Sequence, residues 1–207
     1  MKNSSPNIRG RAISKSTKTR RRSRKYSTYT RKHYESNDGM LTTVWGPGTW
    51  HFLHTMSFNY SAKPSCDEKR KYRDFILSLQ NVLPCGKCRA NLRKNFAKLP
   101  LLWKHMANRK TFSKYMYDLH EVVNKMLGKK SGLSYIDVRE RYEHFRARCA
   151  VPVSETEIPS KSPQDVSEKG CTEPIYGEKS KCVLQIIPQD TKCETFQIDE
   201  KCVKRRV

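Results

Sequence analysis

The sequence predicts an all-α fold: a four-helix bundle with a short fifth helix, flanked by a basic N-terminal arm and a small cysteine-containing C-terminal tail. Three observations lead there. Between residues 45 and 149, apolar side chains recur at spacings of three and four in five successive segments, the period that gathers them on one helical face. The segments are bounded by capping residues, prolines or a glycine, the usual punctuation of helix ends. The intervals between them are short, which sets consecutive helices side by side as in a bundle.

The first helix is expected after Pro47 and Gly48, in TWHFLHTMSF, where Trp50, Leu53, His54 and Phe58 share a face. The second opens on the box Ser65 to Glu68, the serine capping and the glutamate answering three residues on, and shows Tyr72, Phe75, Ile76, Leu79 and Leu83 as one stripe. Pro84 ends it. The third begins at Cys85-Gly86-Lys87-Cys88 and runs through Leu92 and Phe96 to Pro100. The fourth opens at Thr111, places Phe112, Tyr115, Met116, Leu119, Val122, Val123, Met126 and Leu127 at helical spacing, and stops at Gly128 as a C-terminal capping glycine would stop it. The short fifth starts from the pair Ser134 and Asp137 and includes Val138, Tyr142, Phe145 and Cys149.

The chain thus divides into an arm over residues 1–40, a helical domain over 41–149, a linker over 150–167 rich in Pro, Ser, Glu and Thr, and a tail over 168–207. Of the formal net charge of +22, half falls on residues 1–35, which hold twelve Lys or Arg and one acid, Glu35. Such a segment buries too little apolar surface to offset the entropy of ordering, so the arm is expected to be disordered. Its density of charge suits contact with nucleic acid or another polyanion, and equally a solubilising tail. In the tail, Cys171, Cys182, Cys193 and Cys202 recur at intervals of 11, 11 and 9 residues, and the alternating segments around them read as short strands. With no apolar run long enough to span a bilayer and no signal-peptide core, a soluble, non-secreted protein is expected.

The pair Cys85 and Cys88 carries the chemistry. A zinc site needs a second ligand pair at comparable spacing, and the sequence has no other C-x-x-C and no C-x-x-H. A thioredoxin-type dithiol sits between a strand and a helix, whereas a helix and a proline precede this pair. An inert pair of small buried side chains is the remaining structural reading. Placement favours a redox pair: the first turn of a helix presents unpaired N–H groups and the positive end of the dipole, Lys87 and Arg89 add charge, and two cysteines one turn apart close a small, readily opened disulfide.

Three motifs on these helices resemble the Erv/ALR family of FAD-linked sulfhydryl oxidases across roughly residues 43–146. WGPGTWHFLH at 45–54 is similar to the family's W-G-x-x-x-W-x-x-L-H, PCGKC at 84–88 to its P-C-x-x-C, and LHEVVNKMLGK at 119–129 to its H-N-x-V-N-x-x-L-x-K. The resemblance implies a helical cradle for FAD, a homodimer, and a cofactor site drawn from Gly46, Thr49, Trp50, His54, Tyr60, His120, Asn124, Lys129, Tyr135 and Tyr142. Trp50 and His54 would face the flavin side, His120 and Asn124 the adenine end, and Lys129 the phosphates. Two departures stand out. Glu121 occupies the position where the family prefers Asn, and Tyr117 and Ser134 stand where cellular members place a structural disulfide, a bridge that members from large DNA viruses often lack. A viral source, in virion or host cytoplasm, follows as an expectation.

By the same resemblance Cys85 receives the substrate thiolate, Cys88 leaves and passes electrons to FAD, and dioxygen is reduced to hydrogen peroxide, so that reduced protein thiols and dioxygen are the expected partners. The competing reading is a basic nucleic-acid-binding virion component that uses the bundle as a scaffold. It accounts for the arm and leaves the three motifs without a role.

Overall fold

The computed structural model of the chain describes residues 30–148, 171–183, 185–188, 190–191 and 197–203. Most of the expected disordered arm, the linker, Cys149 and Cys193 lie outside the described residues. The chain divides into two units, residues 1–37 and 38–207. In the first, the described end of the arm is not structureless: α1, Arg31–Tyr34, is a single helical turn that Thr30 caps from its side chain. Its formation follows from local bonds, since the Thr30 hydroxyl accepts from the His33 N–H and Arg31 pairs with Glu35 one turn on.

The second unit is the bundle. It contains α2, Thr42–Asn59; α3, Cys66–Val82; α4, Gly86–Lys98; α5, Arg109–Met126; and α6, Tyr135–Glu143, with a 3-10 turn at Trp103–Met106 between α4 and α5. α2 starts seven residues earlier than the sequence suggests and holds Pro47 inside it. Proline at that point removes one N–H whose acceptor would be the Thr43 carbonyl, and Thr43 is exposed, so water can serve that oxygen. α3 starts on the expected capping box: the Ser65 hydroxyl accepts from the Glu68 N–H at 3.2 Å, and Glu68 accepts from the Ser65 N–H at 2.7 Å.

α5 is capped by Asn108 and so begins at Arg109 rather than Thr111. Thr111 is the third helical residue, and its hydroxyl answers the Asn108 N–H as the partner half of a capping box. At the other end Gly128 takes φ +69°, a left-handed conformation that glycine adopts without a side-chain penalty. There the Gly128 N–H bonds the Lys125 carbonyl at 3.2 Å and the Lys129 N–H bonds the Asn124 carbonyl at 2.8 Å, the double closure of a Schellman motif. α6 is capped by Ser134 with Asp137, as expected, but ends at Glu143, so Phe145 lies beyond the helix.

Leu53, Ile76, Leu92, Phe96, Leu101, Met106, Phe112, Tyr115, Met116 and Leu119 form the core between α2, α3, α4 and α5. The tail returns to the bundle: Ala147–Arg148 (β1) pairs antiparallel with Glu173–Pro174 (β2), and the Ile175 N–H bonds the Arg146 carbonyl. The strands expected in the cysteine-spaced repeat are not formed among the described residues. Val183 and Ile186 there are 79% and 76% exposed, so their alternation covers no apolar surface that could anchor a ladder. Cys171 is disulfide-bonded, while Cys66, Cys182 and Cys202 are free.

Candidate functional site

α4 begins at the Cys-x-x-Cys pair because Cys85 itself is the N-cap. Its backbone is extended, and its Sγ accepts the Cys88 N–H at 3.2 Å, taking the place a serine or aspartate oxygen usually fills. Cys85 and Cys88 form a disulfide with their Cα atoms 5.1 Å apart, and both are half-buried. The chain entering α2 lies across this turn. The Met40 N–H bonds the Pro84 carbonyl at 2.8 Å, the Trp45 Nε1–H bonds the Met40 carbonyl at 3.1 Å, and a side chain at Gly39 would come within 3.1 Å of the Cys85 Cα. Glycine at 39 therefore permits a close approach that a larger residue would meet only by shifting the turn a few tenths of an ångström, and the start of α2 is tied to the redox turn.

From there an aromatic series runs along α2. Trp50, His54 and Phe58 are successive turns on one face, spanning ~12 Å at the helical rise of 1.5 Å per residue. α5 and α6 supply the opposite wall. Trp50 stacks on His120 with centroids 3.9 Å apart and planes 4° from parallel. Phe58 stacks on Tyr142 at 5.4 Å and on Tyr135 at 6.2 Å, and His54 lies 5.3 Å from Tyr142.

The polar atoms of this cluster are largely paired with one another. His54 Nε2 and His120 Nδ1 are 2.9 Å apart, His51 Nδ1 and the Tyr142 hydroxyl 3.2 Å, and the Tyr135 hydroxyl and Ser113 Oγ 2.9 Å. His54 Nδ1 is buried with no hydrogen-bond partner. Burial first, then the neighbouring His120 and His51, holds the His54 imidazole down at about 3. Burial likewise holds His120 down at about 4, against the opposing pull of Glu121 and with help from Lys129. Both rings are therefore neutral at pH 7, and one proton serves the bond between them.

These shifts make stability depend on pH with a definite sign. Between the ordinary value of 6.5 and about 4, the unfolded chain takes up protons that the folded chain refuses, so stability falls as pH falls through that window and is level above it. We expect the midpoint of thermal unfolding to drop by roughly 5–10 °C from pH 7 to pH 4.5. A melting temperature that does not change over that range would contradict the burial of the pair.

Of the residues expected at the site, the structure gathers Trp50, His54, His120, Tyr135 and Tyr142. Gly46 and Thr49 lie on α2 between Trp45 and Trp50, the Thr49 hydroxyl being donated to the Trp45 carbonyl at 3.0 Å. Asn124 lies on α5 one turn after His120, and its amide donates to Glu121 Oε1 at 2.9 Å, which supplies the partner that a carboxylate at position 121 needs. Lys129 follows at the Schellman closure with its side chain exposed. Tyr60 is fully buried among Tyr72 and Phe112 and donates its hydroxyl to the Met106 carbonyl, within the core beside the cluster. His51 and Phe58, which no motif names as site residues, also join the cluster: His51 meets Tyr142 and Phe145, and Phe58 stacks on Tyr142. His51 is joined to a residue 91 positions away, a pairing no local pattern encodes.

A helical bundle with a Cys-x-x-Cys disulfide capping one helix, tied to a half-buried series of stacked aromatic and imidazole rings, defines a class of thiol-active helical domain. Comparison gives it a family: the Erv1 / Alr family model matches residues 47–143. A mimivirus protein (Acanthamoeba polyphaga mimivirus) named "Probable FAD-linked sulfhydryl oxidase" is 37% identical over 104 residues, 50% of this chain and 72% of that one. The FAD-linked sulfhydryl oxidase of African swine fever virus is 32% identical over 99 residues, 48% of this chain and 80% of the viral protein. The crystal structure of the yeast Erv1 core is similar with a TM-score of 0.45 and 21% identity, covering 58% of this chain and 95% of that one. The chain belongs to the Erv1 / Alr family. No helix among the described residues is long and apolar enough to cross a membrane.

Proposed function

We propose that the chain is an FAD-linked thiol oxidase that makes disulfides in protein substrates, with dioxygen as acceptor and hydrogen peroxide as product. The observation that carries the reading is the coupling, within one bundle of this family, of a Cys85–Cys88 disulfide to the ring cluster of Trp50, His54, His120 and Tyr142 through the Pro84–Met40–Trp45 bonds. The residues fit a flat heteroaromatic cofactor. They offer parallel ring faces, neutral imidazoles, and in His54 Nδ1 a buried polar atom without a partner. Gly46, Thr49, Trp50, His54, His120, Asn124, Lys129, Tyr135 and Tyr142 would hold FAD, with the exposed Lys129 ammonium as the cation for its phosphates. When bound, FAD supplies the two-electron acceptor that returns the Cys85/Cys88 dithiol to the disulfide and the route by which those electrons reach dioxygen.

The chain's own steps are thiol exchange. A substrate thiolate attacks Cys85 Sγ, the Cys85–Cys88 bond breaks, and Cys88 leaves as a thiolate in the first turn of α4, where backbone N–H groups and the dipole stabilise negative charge. A second substrate thiolate then attacks the substrate sulfur of the mixed disulfide, so that a substrate disulfide forms and Cys85 leaves with both electrons of the broken bond. The Cys88 N–H already directed at Cys85 Sγ stabilises that leaving charge.

The reading extends to a homodimer, supported by the exposed apolar pair Phe52 and Phe75, which touch edge to face on neighbouring α2 and α3. It extends also to polyanion contact through residues 1–35 and to a virion or host-cytoplasm setting, supported by the arm's charge and by the viral relatives. The scaffold alternative leaves the disulfide and the ring cluster without use. Purified protein should be yellow, consume oxygen on addition of a dithiol while producing an equal amount of peroxide, and show a dimer mass by light scattering. Colourless protein that consumes no oxygen after incubation with FAD would end the reading.

A further inference from the structure

The helix that starts at the disulfide has an unusual outer face. Seven residues of α4 are exposed, and they are Gly86, Lys87, Ala90, Arg93, Lys94, Ala97 and Lys98. Over its whole length α4 contains five Lys or Arg and no acid, whereas α3, α5 and α6 all interleave acids with their cations. Arg89 donates to the Leu83 carbonyl and Arg93 to Asn81 Oδ1, but the three lysines are not so engaged. Lys87, Lys94 and Lys98 take part in no ion pair or hydrogen bond among the described residues, while the acids of α3 nearest its start are engaged elsewhere, Asp67 with Arg70 and Lys71, and Glu68 in the Ser65 cap. Lys87 in the first turn opposes the helix dipole, so helix stability does not account for it.

Geometry ties this face to the chemistry. Lys87, Lys94 and Lys98 follow one line along the helix, with Lys94 about 9 Å and Lys98 about 15 Å beyond Cys88 at the rise of an α-helix. Ala90 and Ala97 between them keep the surface low, so an extended segment can lie along it. The start of α2 lies against Cys85 at Gly39 and bonds the Pro84 carbonyl through the Met40 N–H. We infer that the basic face of α4 is a substrate-docking strip which selects protein thiols flanked by acidic residues and delivers their cysteines to Cys85. The inference rests on the oxidase reading and adds to it the substrate class. A polypeptide fits better than a nucleic acid because the strip begins at a disulfide, whose use requires a thiol on whatever docks, and because complementary charge raises encounter rates with little need for a deep pocket.

The test uses the full chain and its Lys94→Glu/Lys98→Glu variant, two positions outside the redox and ring-cluster residues; the arm is common to both proteins and cancels in the comparison. The substrates are a dithiol peptide flanked by glutamates, its isomer flanked by glutamines, and dithiothreitol. At low salt, kcat/KM for the acidic peptide should exceed that for the neutral isomer and fall about tenfold in the variant, with no change for dithiothreitol. Binding of the acidic peptide with serines in place of its cysteines, followed by anisotropy, should weaken in parallel, and salt should erase the difference. Equal kinetics and binding for the two peptides, or equal loss on dithiothreitol, would overturn the docking strip. Oligonucleotide binding that is tighter than peptide binding and is lost in the variant would overturn it in favour of a nucleic-acid surface. Absence of turnover on every substrate, dithiothreitol included, would instead bring down the oxidase reading, and the serine-peptide binding would still report on the strip.

Discussion

Cys88→Ser protein should purify yellow and consume no oxygen with any thiol, a fall on the order of 10⁴-fold or more, as expected when a covalent catalytic group is removed. The reasoning separates two parts of the molecule. Cys88 is the third helical residue of α4, and the ring cluster of Trp50, His54, His120 and Tyr142 belongs to α2, α5 and α6, so the substitution leaves the cluster's contacts untouched. Serine keeps the N–H that bonds Cys85 Sγ and hence the helix start. What it removes is the second sulfur, without which no disulfide can be reformed and no thiolate can leave when substrate attacks. Cys85→Ser should also be inactive and leave Cys88 as a lone thiol, which shows up as one titratable site at that turn instead of two. Oxygen uptake by Cys88→Ser at the unsubstituted rate would show that the thiol chemistry lies elsewhere, with Cys66, Cys182 and Cys202 the free thiols to try next.

How far the sequence could be read is decided by range. Helix starts at Ser65 and Ser134 were legible because a capping box is a four-residue device with its two bonds inside it, and the redox turn was legible because proline, cysteine spacing and the following stripe are all local. The same logic misled at two ends. Thr111 is a good capping residue, yet Asn108 three positions earlier takes the cap and uses Thr111 as its partner. Pro47 reads as a boundary, yet the helix continues through it because the carbonyl it strands faces solvent. Within the candidate site, motif alone names Trp50, His54 and His120, and it does not give their mutual arrangement. The stack across α2 and α5, the bond from His51 to Tyr142 and the withdrawal of Tyr60 into the core arise from packing between segments far apart in sequence. Tyr60 follows the last residue of α2, where helical periodicity no longer says which way a side chain turns.

The His120→Ala protein should fold and lose most of its flavin, with the flavin-to-protein ratio falling about tenfold. His120 makes two contacts that no neighbour can replace: the parallel stack on Trp50 at 3.9 Å, and the 2.9 Å bond to His54 Nε2. Truncation leaves His54 buried with neither ring nitrogen paired, because Nδ1 has no partner to begin with, and that desolvation should cost about 1–3 kcal/mol of stability. A loss of that size lowers the melting temperature without unfolding a domain whose main core, Leu53, Ile76, Phe112, Met116 and Leu119, does not include the imidazole. His120→Phe sorts the two contacts. It keeps a flat ring against Trp50 and removes the bond to His54, so if stacking dominates cofactor retention it should hold more flavin than alanine at comparable stability. Circular dichroism, thermal melting and the visible spectrum after added FAD give the three readings needed. If His120→Ala melts several degrees lower and still carries a full complement of flavin, the residue supports the core alone; the expected result is the reverse weighting, a modest fall in melting temperature with a large fall in bound flavin.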